Sequence, residues 1–183
     1  MKKVAILSIV LLSFCATRVS AQAFQAGDNI VSAGIGIGSA LDGYGYSSAI
    51  PGFSAQYERG IWEAGPGVIS LGGYLGIKGY KYSSPDFTEK WNYTIVGARA
   101  AYHFTGLDVE NLDLYGGLML SFNNLNFSYT EYNGYNYNGG SYGSYLGLSA
   151  FVGARYYFAG NLAGYGELGY GVAILNLGLS YKF

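Results

Sequence analysis

Leu175-Asn176-Leu177-Gly178-Leu179-Ser180-Tyr181-Lys182-Phe183 closes the chain. Its odd positions carry every large apolar side chain, and its even positions carry Asn, Gly, Ser and Lys. Successive strand residues project to opposite faces, so this order makes a strand with one apolar and one polar face. Such a strand suits a barrel wall that meets lipid outside and a polar lumen inside.

The same period of two returns seven times upstream. Near 29–39 it turns Val31, Ala33, Ile35 and Ile37 outward, and near 52–58 Phe53, Ala55 and Tyr57. Near 67–79 the outward set is Ile69, Leu71, Leu75 and Ile77. The fourth strand, near 93–104, presents Val96, Ala98, Ala100, Tyr102 and Phe104, and the fifth presents Leu112, Leu114, Leu118, Leu120 and Phe122. The sixth, near 145–158, presents Leu146, Leu148, Ala150, Val152, Ala154, Tyr156 and Phe158. The seventh, near 162–170, is the least regular, with Leu162, Leu168 and Tyr170 interrupted by Gly164 and Gly166. Strands of roughly 9 to 11 residues cross a bilayer when tilted. The expected fold is therefore all-β, an eight-stranded antiparallel up-and-down transmembrane β-barrel, whose even count returns the chain to the side on which it starts. Surface loops are then expected near 40–51, 80–92, 123–144 and 171–173, with shorter turns at the other end near 59–66, 105–111 and 159–161.

A soluble β-sandwich also alternates, and the aromatic residues decide against it. Tyr57, Tyr102, Phe104, Tyr156, Phe158, Tyr181 and Phe183 all fall at one end of their strands, as an interfacial girdle requires. Only 11% of the 183 residues are charged, against 30 Gly and 20 Tyr. Past the N-terminus no apolar run approaches 18 residues, which excludes a helical membrane protein.

The N-terminus reads as an export signal. Met1-Lys2-Lys3 is basic, Val4 to Leu12 is apolar, and Val19-Ser20-Ala21-Gln22-Ala23 supplies small residues for cleavage. The apolar run is too short for a membrane span of about 20 residues. Residues 1–21 are expected to be a signal peptide, cleaved after Ala21 or Ala23, and residues 22–183 one barrel domain. Cys15, the only cysteine, lies in the leader behind Phe14 and not behind a small residue, so lipidation is not expected. The mature chain then has no thiol for a disulfide, a nucleophile or a metal. Losing Lys2, Lys3 and Arg18 with the leader leaves an acidic chain, which argues against nucleic acid.

Inward-facing charge is the next signal. Glu58, Lys78, Arg99, Asp113, Arg155, Glu167 and Lys182 all take the lumen side of this register, and no charge takes a mid-strand position on the lipid side. An Arg or Lys there would cost about 2–4 kcal/mol. Val96-Gly97-Ala98-Arg99 and Val152-Gly153-Ala154-Arg155 stand at equivalent places in two strands. Neighbouring strands are expected to pair Arg99 with Asp113 and Arg155 with Glu167. With Tyr74, Tyr115, Met119, Phe151, Tyr157 and Tyr165 also inward, these pairs fill a lumen that eight strands make only side-chain wide. Gly34-Ile35-Gly36-Ile37-Gly38 lacks the spacing and helix of a dinucleotide loop and reads as small lumen-side residues that give room to large neighbours.

The signal peptide, a mature chain spanning 22–183 and the ending Tyr181-Lys182-Phe183 resemble the OmpA/OmpX-like small outer-membrane barrels, and the Tyr-, Asn- and Gly-rich loops resemble those of Bacteroidota members. The resemblance implies a monomer in the bacterial outer membrane, surrounded by lipid, with no cofactor. It also implies that the barrel assembly machinery reads Leu175, Leu177, Leu179, Tyr181 and Phe183 as a β-signal, by strand addition. The expected role is structural or surface-interacting, through an unnamed extracellular ligand. The Tyr-rich third loop, with Tyr129, Tyr132, Tyr135, Tyr137 and Tyr142, has the composition of adaptable binding surfaces. A small porin-like channel is the alternative. A lipid-modifying enzyme comes third: His103, the one histidine, falls at the wrong end for such chemistry and has no second histidine for a metal. The chain is not expected to be an enzyme.

Overall fold

A strand satisfies its backbone only against neighbours, and in lipid no edge can be left open. In the computed structural model, which describes residues 24–38, 48–49, 51–85, 87–107, 109, 111–131 and 136–183, the chain meets this demand by closing on itself. The strands are β1 (Asn29–Ile37), β2 (Gly52–Glu63), β3 (Gly67–Ser83), β4 (Phe87–Phe104), β5 (Leu112–Glu131), β6 (Asn136–Ala159), β7 (Leu162–Gly169) and β8 (Leu175–Lys182). Each pairs antiparallel with the next, and β8 pairs with β1 from Ile30 opposite Lys182 to Ile37 opposite Leu175. At the seam Phe183 donates its N–H to the Asn29 carbonyl at 2.9 Å, and Asn29 returns the bond at 3.2 Å. The expected leader and its cleavage sites lie outside the described residues.

The faces separate as alternation requires. On β5, Leu118 and Leu120 are each 56% exposed while Met119 between them is 3% exposed. Leucines and other large apolar side chains thus cover the outer face, while Glu58, Arg99, Asp113, Arg155 and Glu167 are buried inside. The outward apolar set on β5 runs from Leu112 to Phe122, which at the usual rise and barrel tilt spans about 25 Å, the height of a lipid-facing band.

The two ends of the barrel differ. At the short-turn end β6 and β7 are joined through Gly160, whose φ of 55° suits glycine in a tight hairpin. Tyr57, Phe104, Tyr156, Phe158 and Phe183 are exposed there, joined by Trp62. Tyr102 and Tyr181 are only half-buried members of this rim, the Tyr102 hydroxyl donating to the Ala64 carbonyl at 3.0 Å.

At the hairpin end the strands outrun their expected limits. The segments 80–92 and 123–144, expected as loops, are mostly strand, because β3 pairs with β4 up to Ser83 opposite Thr88 and β5 with β6 up to Thr130 opposite Asn136. Pairing continues where the lipid pattern stops. Above Phe122 the outward positions become Asn124, Asn126, Ser128 and Thr130, while the lumen-side face becomes aromatic. Trp91 packs on Phe127 at 5.4 Å and Phe87 stacks on Tyr129 at 5.5 Å. In the expected loop near 40–51, Ser48–Ala49 is a two-residue strand on β3.

Deleting Phe183 removes its two backbone bonds to Asn29, the pair that ends the seam. Refolding into lipid vesicles should then give far less of the compact barrel form on unheated gels than the full chain gives. Equal yields would show that β8 closes on β1 without its last residue.

Candidate functional site

Because eight strands leave an interior only side-chain wide, every inward residue meets others across it. The lumen is stopped at both ends. At the short-turn end Phe24 is fully buried, clusters with Ile30 and Val68, and lies 3.9 Å from the His103 ring. At the hairpin end the turn after β7 folds inward, with Val172 and Ala173 fully buried against Tyr74, Ile95 and Met119. The Val172 N–H donates to the Tyr74 hydroxyl at 3.1 Å. Val172 fits because Gly36, Gly52 and Gly76 surround it: a Cβ on any of them would come within 3.1 Å of it.

Between the stoppers lie two charged clusters. Nearer the short-turn end, Arg155 bonds Asp113 Oδ2 at 3.0 Å through Nη1 and Glu58 Oε2 through Nη2. His103 Nδ1 lies 2.8 Å from Asp113 Oδ1, and its Nε2 lies 3.2 Å from Glu58 Oε1 and 3.0 Å from Ser70 Oγ. Both ring nitrogens thus face a carboxylate oxygen, which only accepts, and a donating Nε2 leaves the Ser70 proton to Glu58 Oε1 at 2.9 Å. The doubly protonated imidazole satisfies both nitrogens, and two cations then face two carboxylates. Nearer the hairpin end, Arg99 grips Glu167 with both terminal nitrogens, at 3.1 and 2.6 Å, and its guanidinium lies 3.8 Å from the Phe151 ring centre. The Tyr115 hydroxyl donates to Glu167 at 3.2 Å, and its ring lies 4.2 Å from the Arg155 guanidinium, joining the clusters.

The four residues expected in lumen ion pairs are all buried, but their partners are exchanged. Arg99 stands opposite Met119, six residues along β5 from Asp113, so that pair is out of reach. Asp113 stands directly opposite Arg155, which takes it, and Glu167 is left to meet Arg99 across the lumen. His103 is 0% exposed inside the first cluster. Sequence reading placed Glu58 inward but missed its bonds to Arg155, Ser70 and His103, and it missed Phe24 and Val172 as stoppers. Only the period-two position of Ser70, on the face of Tyr74 and Lys78, pointed to its lumen place.

Ser70, His103 and Asp113 are spaced like a nucleophile, base and orienting acid. All three are at most 1% exposed, which leaves no room for a substrate beside the Ser70 hydroxyl. Among the described residues no three His, Cys, Asp or Glu side chains could hold a metal ion. The residues expected as an assembly signal occupy β8 and its end, with Leu177, Leu179 and Phe183 exposed. Of the Tyr-rich segment, Tyr129 stands opposite Tyr137 and Tyr142 is also in β6, while Tyr132 and Tyr135 lie outside the described residues.

Arg155→Met leaves Glu58 and Asp113 buried beside one remaining cation. The barrel in lipid vesicles should lose about 3–5 kcal/mol in denaturant unfolding, and adding Glu58→Gln should recover part of it. Unchanged stability of the single variant would show that water reaches the cluster.

No protein-family model matches the chain, and no curated protein matches it. Solved structures do. A crystal structure of Ail, the attachment invasion locus protein of Yersinia pestis, in complex with the heparin analogue sucrose octasulfate is 18% identical with a TM-score of 0.55, covering 87% of this chain and 100% of that one. A second crystal structure of Ail is 17% identical with the same coverage and a TM-score of 0.52. At this identity the likeness is one of fold: the chain has the architecture of the small eight-stranded outer-membrane barrels of the OmpA/OmpX-like class.

Proposed function

We propose that this chain is a non-enzymatic surface-interaction protein of the bacterial outer membrane, with a sealed lumen, acting through the strands it raises above the lipid. In this reading the N-terminal 21 residues are a cleaved leader, residues 22–183 are a monomeric barrel, the short-turn end faces the periplasm and the hairpin end faces outward. Leu175, Leu177, Leu179, Tyr181 and Phe183 serve as the assembly signal, supported by the seam that Phe183 makes with Asn29.

One observation carries the reading. β6 pairs with β5 from Asn136 upward in number, but with β7 only from Phe151 opposite Gly169, the last contact being the Tyr170 N–H to the Ala150 carbonyl at 3.4 Å. Among the described residues no strand pairs with the other edge of β6 between 136 and 149. An unpaired edge is a template for another strand, and strand addition gives main-chain affinity with side-chain selectivity. Tyr137 and Tyr142 lie on this length of β6. One Ail crystal held the heparin analogue sucrose octasulfate, which accords with an extracellular ligand for this architecture.

Replacing residues 125–143 by an Asn-Gly turn keeps the pair Asn124 opposite Ser144 and removes most of the open edge with its tyrosines. Bacteria displaying the full chain should adhere to immobilised basement-membrane extract more than bacteria displaying the shortened one. Equal adhesion at equal display would overturn the surface-interaction reading.

A channel is the second reading, and the stoppers Phe24 and Val172 speak against it. Planar-bilayer recording of the purified barrel should show no steady conductance step. Reproducible steps would return the channel to first place.

A further inference from the structure

Beside the outward end of the lumen, at the foot of the open β6 edge, lies a cavity of about 160 Å³. Its floor is apolar, formed by Ile95 and Met119, and its walls carry Ser121 and Asn123 of β5 and Ser149 of β6. Tyr145 and Tyr170, 50% and 68% exposed, stand at its rim. The space exists because residue 147 is glycine: a Cβ there would lie 2.8 Å from Asn123 Nδ2 and 3.0 Å from Ser121 Oγ.

The polar groups are built in. Asn123 and Ser121 are each 5% exposed. Asn123 donates to Ser121 at 3.1 Å, and Ser121 donates to the Gly147 carbonyl at 3.4 Å. Ser149 Oγ is buried on the wall with no partner, and a buried hydroxyl left unpaired costs about 1–3 kcal/mol. A ligand that reaches it therefore gains more than the bond alone.

We propose that this cavity binds one uncharged pyranose unit of a saccharide. Its size is the room of about five water molecules, that of a single sugar ring. Two hydroxyls and an amide match sugar hydroxyls, the apolar floor takes a C–H face of the ring, and tyrosines that are apolar in body and polar at the tip line the entrance. No charged side chain lines the cavity, so a sulfated or phosphorylated sugar would lose its hydration without a counter-charge. The ligand class thus differs from the sulfated sugar in the Ail crystals. The proposal rests on the reading that this end faces outward, but not on the open edge.

The test is saturation-transfer NMR on the barrel in lipid nanodiscs free of glycoside detergent. The probes are the methyl glycosides of glucose, galactose, mannose and N-acetylglucosamine, with sucrose octasulfate as the charged comparison. At least one neutral glycoside should bind, with a Kd near the ~1 mM expected of so small a site. Ser149→Ala should weaken it about tenfold, equivalent to about 1.4 kcal/mol, and Gly147→Val should abolish it; the gel shift of the folded barrel verifies both variants. Absence of binding by every neutral glycoside, or binding that both folded variants keep, would overturn the proposal, the cavity then holding water only. Stronger binding of sucrose octasulfate that falls in the same variants would overturn the uncharged class. The barrel with residues 125–143 replaced retains all the cavity residues and should still bind, so loss of adhesion and loss of sugar binding are separable results.

Discussion

Closure of β8 on β1 is the constraint on which the rest of the molecule depends. In hydrocarbon an unpaired N–H or C=O has no water to turn to, so the strand that begins at Asn29 must meet the strand that ends at Phe183. Closing with eight strands fixes the width, and that width lets side chains meet across the lumen. Alternation then decides which side chains they are. Glu58, Arg99, Asp113, Arg155 and Glu167 find their counter-charges within the barrel, because neither lipid nor bulk solvent can supply one.

Packing follows from the same width. Large inward rings fit only where a facing position is vacant, and glycine provides the vacancy. A Cβ on Gly153 would stand 2.6 Å from the Tyr115 ring, and one on Gly97 would stand 2.9 Å from Met119. The glycine-rich end of β1 has this role as well, since Gly36 gives room to Ala173 and Val172. Guanidinium groups laid against Phe151 and Tyr115 use those rings as partners that need no hydrogen bond. The stoppers add little area but shut the charged clusters away from water, which strengthens each pairing inside.

The sequence made the faces legible and left the partners illegible, for a physical reason. A period of two sorts residues into inward and outward, and Glu58, Lys78, Arg99, Asp113, Arg155, Glu167 and Lys182 are all buried. Which cation meets which anion depends on register between strands, and one strand's pattern carries no register. Arg99 and Asp113 are on adjacent strands yet out of reach, while Arg99 and Glu167 are not adjacent and yet bond. Phe24 was hidden because one aromatic residue after a leader has no period, and Val172 because a turn is ordinarily read as solvent-facing. The long hairpins were hidden because the polarity pattern reports the solvent. Above Phe122 the outer solvent changes from lipid to water, so Asn124 and Asn126 replace leucines although the pairing continues.

That change of solvent also explains why an edge can stay open where it does. Within the lipid band an unpaired length of β6 would be prohibitive. Above the band, water can satisfy the same groups, and the edge becomes a choice. The two flanks of the raised sheet differ: on β3, Tyr80 and Lys81 are paired by Ser48–Ala49, whereas β6 stands above a β7 that ends at Gly169. The wall is low along β7, β8, β1 and β2 and high along β3 to β6. The drop in height at β6 leaves an edge with no strand partner among the described residues, and at its foot the cavity that Gly147 keeps open. Both features come from β7 being short, so one inequality of strand length places the edge and the cavity on the same strand.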